Sequence, residues 1–221
     1  MRKYKKSTNN NCRFQNSCEP LKNDTEWFAE KINKGSPPKL VQVLFLNRNS
    51  DMIVVAPHGG KIEPRTEEIA GHLANELRWS CYCFCSGHSE DERGGTGNQD
   101  EHHIESKQIW PPQLGNLLTD SEIAVSIHGC TDDYDVIQIG GHNKVKISDL
   151  ANTLTKMGFK AEEGTGNLAA NSSVNFINKL KRHGVQIELP FSLYRDVKKT
   201  NRQDRRDLAG SIATAIRDLK W

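Results

Sequence analysis

The sequence predicts an α/β fold: a single domain on a mixed, mostly parallel sheet flanked by helices. Three observations predict it. Short runs rich in Val, Ile and other apolar residues alternate with segments of helical periodicity, the pattern left when helices connect parallel strands. The 221 residues suffice for one such domain with a sizeable core. Hydrophobic residues make up 35% and charged residues 26%, which is a globular composition rather than a disordered or fibrous one.

Residues 1–25 carry no periodicity, and residues 1–35 read as a poorly ordered accessory segment ahead of a domain over 36–221. The stretch WFAEKINKG, 27–35, predicts a short helix stopped by Gly35 and the breaker SPP. LVQVLFL, 40–46, predicts a strand, NRNSD a turn and MIVVA, 52–56, a second strand, together a hairpin. After Pro64, the residues Ile69, Leu73 and Leu77 recur at helical spacing. CYCFC, 81–85, predicts a strand with Cys81, Cys83 and Cys85 on one face. Residues 86–104, rich in Gly, Asp, Glu and His, read as a loop long enough to be functional. PQLGNLLTDS predicts a short helix, and IAVSI, 123–127, and DVIQI, 135–139, predict strands. Ser148 caps an expected helix DLANTLTKM that stops at Gly158. VNFINKLKR reads as helix, VQIEL, 185–189, as strand, and 203–219 as a closing helix.

Bulk properties exclude several classes. No apolar run approaches the roughly 18 residues of a membrane span. The basic N-terminus lacks the apolar core of a signal peptide, so synthesis in the cytoplasm is expected. A net charge of +2 names no partner. Basic clusters with interleaved aromatics are absent, so nucleic acid is not an expected partner. Without an apolar span, a membrane is not one either, and a monomer is the expected state. Six cysteines without an export signal suggest a reducing compartment. The Cys81–Cys83–Cys85 face reads as buried small hydrophobes rather than a metal site. Cys12 and Cys18 would pair only after export.

In a parallel sheet the ligand site lies beyond the carboxyl ends of the strands. His58 follows MIVVA, His128 follows IAVSI, and Glu188 sits near the end of VQIEL. Glu63 comes off the loop after His58, with Gly59 and Gly60 clearing space and Pro64 holding Glu63 near the next helix. Two histidines and a carboxylate are the usual protein ligands of a hydrolytic zinc. A metal so held lowers the pKa of water toward about 7 and polarises a carbonyl. A further carboxylate then shuttles the proton, a role for which Glu188 is free. His142, after Gly140 and Gly141 at another strand end, is a spare histidine for the site. His72 reads as packed and His183 as structural.

The blocks APHGGKIEPRTEEIA, HIES, SIHGC, the Gly-Gly pair at 140–141, NFIN and GVQIELP occur in this order. Over roughly residues 50 to 195 the chain resembles the phage and bacterial poly-γ-glutamate hydrolases, zinc peptidases with a zinc carboxypeptidase-like fold. The resemblance implies Zn2+ on His58, Glu63 and His128, with Glu188 as the catalytic glutamate. It places His103 and Ser106 at the border of the site, and Asn175 and Asn178 in contact with substrate. The His-x4-Glu spacing agrees with that family and departs from the His-x-x-Glu of carboxypeptidases. The implied reaction is attack of water on a γ-glutamyl amide, with Glu188 taking a proton and returning it to the leaving amine. Such a polymer carries one free α-carboxylate per residue, which Arg195 and then Arg65 suit as bidentate partners. The polymer is extracellular, so release by lysis is the expected route to it. Two other classes stay open: a zinc amidohydrolase of N-acyl-glutamate or short γ-glutamyl peptides, and a non-catalytic polyanion-binding module.

Overall fold

The computed structural model describes residues 26–32, 39–60, 62–86, 112–130, 135–194, 202–219 and 221. Among these residues the chain forms one mixed eight-stranded sheet with helices on both faces, the α/β domain expected. In chain order the strands are β1 (Glu26–Ile32), β2 (Lys39–Leu46), β3 (Met52–Gly60), β4 (Ser80–Ser86), β5 (Ile123–Cys130), β6 (Ile137–Gly140), β7 (Ala161–Glu163) and β8 (Val185–Pro190). The helices are α1 (Thr66–Leu77), α2 (Pro112–Thr119), α3 (Lys144–Lys156), α4 (Phe176–Lys179), α5 (Phe191–Tyr194) and α6 (Arg202–Arg217).

The sheet order is β1-β2-β4-β3-β5-β8-β6-β7. Its centre, β4-β3-β5-β8, is parallel, so Gly60 meets Ser86 and Cys130 meets Pro190 at one carboxyl edge. Strands β1, β2 and β6 join by antiparallel pairings, while β7 pairs parallel to β6. The central strands are buried on both faces, which is why they read as continuous apolar runs rather than alternating ones. One face carries Val54, Ala56, the three alternating cysteines, Val125, Ile127 and Ile187 against residues of α1, α3 and α6. The other carries Ile53, Val55, Tyr82, Phe84 and Ala124 against Leu114 and Leu117 of α2 and Phe176 and Ile177 of α4. Cys81, Cys83 and Cys85 thus pack as core residues, and no disulfide forms among the described cysteines. No helix among the described residues is long and apolar enough to cross a membrane.

Several expectations give way to tertiary context. The stretch expected as a helix over 27–35 is strand β1 as far as Ile32, ahead of the boundary expected at residue 36. A helix that short is marginal alone, whereas β1 pairs with β2 along its whole length. The expected hairpin of β2 with β3 does not form, because β4 lies between them. Arg48 explains the crossing. Its guanidinium donates to the Ala74 and Trp79 carbonyls at 2.7 Å each and to Asn75 Oδ1 at 2.5 Å, and its backbone N–H donates to Ser80 Oγ at 3.1 Å. The connector is thereby pinned across the α1–β4 turn, with a cation on carbonyls at the end of α1. Helix α3 starts earlier than expected and is capped by Asn143, which accepts from Lys146 N at 3.2 Å. Ser148 lies inside α3 instead. The helix expected over VNFINKLKR shrinks to α4, since Leu180 is extended and Gly184 N–H takes the Ile177 carbonyl.

Candidate metal centre

Strand β3 ends irregularly. From Ala56 to Gly59 it advances three residues while β4 advances two, Cys83 to Cys85. That extra residue is a bulge, a device that re-aims side chains at a sheet rim, and His58 sits in it. Gly59 must be glycine, because a Cβ there would lie 2.8 Å from Glu67 Cβ and 2.9 Å from Glu67 Oε2. Gly60 takes φ 76°, which glycine adopts at little cost. The loop then closes on itself: Glu63 N–H donates to the His58 carbonyl at 2.7 Å, and Thr66 donates to the Glu63 carbonyl through Oγ1 at 2.8 Å. Arg65, left-handed at φ 79°, turns the chain into α1.

The local geometry sets three donors together. His58 Nδ1 lies 2.8 Å from Glu63 Oε1, and His128 Nδ1 lies 3.5 Å from the same oxygen. The two imidazole rings meet edge to face, with centroids 4.8 Å apart. The second carboxylate oxygen, Glu63 Oε2, accepts the Gly129 N–H at 3.0 Å, which turns Oε1 toward the imidazoles. The donor atoms of His58, Glu63 and His128 all lie within 4.8 Å of one another. Ligands at about 2.0–2.2 Å on a tetrahedral zinc sit roughly 3.3 Å apart, so this cluster has the spacing and the N, N, O chemistry to hold a divalent metal. His128 Nε2 is buried with no hydrogen-bond partner among the described residues, so the ring keeps an unspent nitrogen.

Electrostatics match this reading. Burial opposes ionisation of Glu63, but His128 and His58 outweigh it and hold the carboxyl well below the usual carboxylate range. Burial pushes His128 down, yet Glu63 and then Glu188 raise it above an ordinary histidine. Glu188 lies directly opposite His128 across the β5–β8 pairing and opposite Gln138 on β6. Burial raises its carboxyl, assisted by the charge of Glu63, while Gln186 donates to its Oε1 at 2.7 Å. A carboxylate raised in this way is suited to exchange a proton.

The other expected site residues divide. Arg65 lies two residues from Glu63, its side chain 43% exposed and 3.6 Å from Glu68 Oε2. Asn175 accepts from Ile177 N–H and donates to Gln186 Oε1, both at 3.2 Å. The amide of Asn178 is spent on backbone: it donates to the Ala170 and Ser172 carbonyls at 2.7 and 2.9 Å and accepts from His142 N–H at 3.0 Å. His142, the spare histidine at a strand end, does not reach the carboxyl edge: β6 runs antiparallel to β8 and delivers it to the opposite edge, with its ring 5.7 Å from that of His183. His103, Ser106 and Arg195 lie outside the described residues.

Two residues of this region escaped the sequence reading. Gln186 is two positions before Glu188 on one strand face, a period-two signal that would have found it. Glu67 is buried, pushed up to about 7 by desolvation, and accepts the Gly60 N–H at 3.1 Å. It braces the bulge, and only its place in the first turn of α1 hints at that.

A family model described as poly-gamma-glutamate hydrolase matches residues 29–211. The SPbeta prophage-derived protein YoqZ of Bacillus subtilis (strain 168) is 29% identical over 165 residues, 74% of this chain and 57% of YoqZ. YndL of the same strain is 28% identical over 164 residues, 74% of this chain and 62% of YndL. The chain thus spans 57% and 62% of the length of these two curated relatives. Among solved structures, a bacteriophage poly-gamma-glutamate hydrolase superposes with a TM-score of 0.69 at 25% identity, over 86% of this chain and 91% of that one. The zinc-free apo form of YndL gives 0.66 at 25% identity, over 82% and 91%. The chain belongs to the poly-γ-glutamate hydrolase family.

Proposed function

We propose that this member of the poly-γ-glutamate hydrolase family cleaves the γ-glutamyl amide bonds of poly-γ-glutamate, with zinc as its metal. One observation carries the reading: in a chain of this family, two imidazoles and one carboxylate from the end of β3 with its loop and from β5 converge within 4.8 Å at the carboxyl edge of the sheet. His58, Glu63 and His128 would hold the ion. When bound, zinc supplies Lewis-acid polarisation of the scissile carbonyl and a more acidic water.

The chain's own groups supply the rest. Gly129 N–H keeps Glu63 oriented toward the imidazoles. Glu188, raised by burial, takes a proton from the attacking water and delivers it to the departing nitrogen. Arg65, half exposed beside the cluster, suits one free α-carboxylate of the polymer. His103, Ser106 and Arg195 are retained as substrate contacts. Asn175 supports the site from behind through Gln186, while the amide of Asn178 is spent on backbone beside His142. Release by lysis would bring the enzyme to an extracellular polymer.

The test is the chain length of poly-γ-glutamate after incubation with the purified protein, with and without a chelator. Shortening that the chelator stops and zinc restores is the expected result. Intact polymer alongside cleaved N-acyl-glutamate or short γ-glutamyl amides would move the activity to a small-molecule amidohydrolase. Binding of polymer with no cleavage of any amide would make the chain a binding module.

A further inference from the structure

We infer that Gln186, oriented by Asn175, is a positioning residue that commits Oε1 of Glu188 to accepting a hydrogen bond and leaves Oε2 as the oxygen that exchanges the proton. The inference rests on the proposal that Glu188 is the acid–base group.

A backbone N–H can only donate. The Ile177 N–H donates to Asn175 Oδ1 at 3.2 Å, so the other terminus of that amide is its NH2. Asn175 Nδ2 therefore donates to Gln186 Oε1, at 3.2 Å. Gln186 has then spent its oxygen and presents Nε2 to Glu188 Oε1, at 2.7 Å. Direction is thus handed from one main-chain amide through two side chains to one carboxyl oxygen. Reversing any member sets donor against donor or oxygen against oxygen.

Water cannot easily repair such a mismatch. Asn175 and Gln186 are each 5% exposed and Glu188 is 6% exposed. An unmade hydrogen bond at such depth carries the desolvation cost of the group left unpaired, which keeps the relay in one sense. An oxygen already accepting from Gln186 holds carbonyl character, so a proton on the carboxyl resides on Oε2. Strand geometry places the group: Gln186 and Glu188 alternate onto one face of β8, opposite Ser126 and His128 of β5. The relay approaches from the Ser126 side, along the strand and away from the metal ligands.

Two substitutions break the relay at different points. Gln186→Met keeps shape and removes both hydrogen bonds. Asn175→Asp keeps the acceptor for Ile177 N–H, and with it the start of α4, but replaces the donor with an oxygen. Gln186 must then turn its NH2 toward the new carboxylate and its oxygen toward Glu188. Each variant should lower kcat on poly-γ-glutamate by about 10- to 100-fold, a part of the 10²–10⁴ that acid–base catalysis contributes. KM and bound zinc should hold, while the unfolding midpoint falls through the buried groups left unpaired, so turnover is compared at a temperature where each variant is folded. In the Gln186→Met background, Asn175→Asp should cost nothing further, since both act through one contact. Losses that add, a change in KM alone, or kcat within twofold of wild type in both folded single variants would overturn the inference. Glu188→Ala separates the levels: if it retains wild-type turnover, the acid–base reading itself falls. If it is inactive while both relay variants are fully active, only the relay falls.

Discussion

Glu63 and Glu68 lie five residues apart, both are withdrawn from solvent, and both are held below the usual carboxylate range. Their partners differ. Burial opposes the charge of Glu68, and the His72 contact and Arg205 outweigh it, with Arg205 Nε donating to Oε2 at 2.9 Å from α6. Arg205 is permanently charged and joins two helices, so that pair is part of the scaffold. Glu63 faces two imidazoles, groups that can exchange a proton for a metal. Glu67, between them, is pushed up to about 7, because desolvation outweighs its hydrogen bond from Gly60 N–H and the charge of Arg65. Depth alone therefore does not mark a functional carboxylate; the kind of partner does.

The comparison breaks first at Glu63. Glu63→Gln should abolish stoichiometric metal binding and reduce hydrolysis to background while the chain still unfolds cooperatively. Metal analysis and circular dichroism on one sample read both. Glu68→Ala should do the reverse. Leaving Arg205 buried without its counter-charge should cost about 3–5 kcal/mol by urea unfolding, and metal stoichiometry should survive in the folded fraction.

Sign distinguishes the pair from Glu67. The carboxyl of Glu68 is lowered on folding, so its contribution is fully present above the unfolded value and fades as pH falls through the folded one. The stability gap between wild type and Arg205→Met should therefore narrow in acid, below about pH 4. Glu67 is raised on folding, so it is neutral to stability below about pH 4.5 and its penalty grows until about pH 7. Glu67→Gln should be more stable than wild type by about 3 kcal/mol at pH 8 and equal to it at pH 4. A flat difference across that range would refute the assignment. The smallest effect lies far from both: Asn143→Ala, which removes the cap of α3, should cost about 1 kcal/mol and leave turnover alone.

Much of this was legible in the sequence. The central strands carry unbroken apolar runs, and His58 and His128 stand where those runs stop, so the sheet and its loaded edge could be read locally. What was not legible depends on direction and on distant anchors. The Gly-Gly-His block after β6 looks like the His-Gly ends of β3 and β5, but nothing local reveals that β6 runs the other way. The hairpin reading of β2 and β3 failed because Arg48 reaches across to the end of α1, a contact with no local periodicity. The bulge that places His58 depends on Glu67 packing over Gly59, which pattern alone does not encode.

Hydrolysis should depend on a metal centre formed by His58, Glu63 and His128. The direct measurement is zinc titration of metal-stripped protein, following bound metal and poly-γ-glutamate shortening together. Turnover should rise in step with zinc and saturate at about one ion per chain, and Glu63→Gln should show neither. A folded, metal-stripped wild-type protein that shortens the polymer at full rate, or activity that ignores the Glu63 substitution, would contradict it.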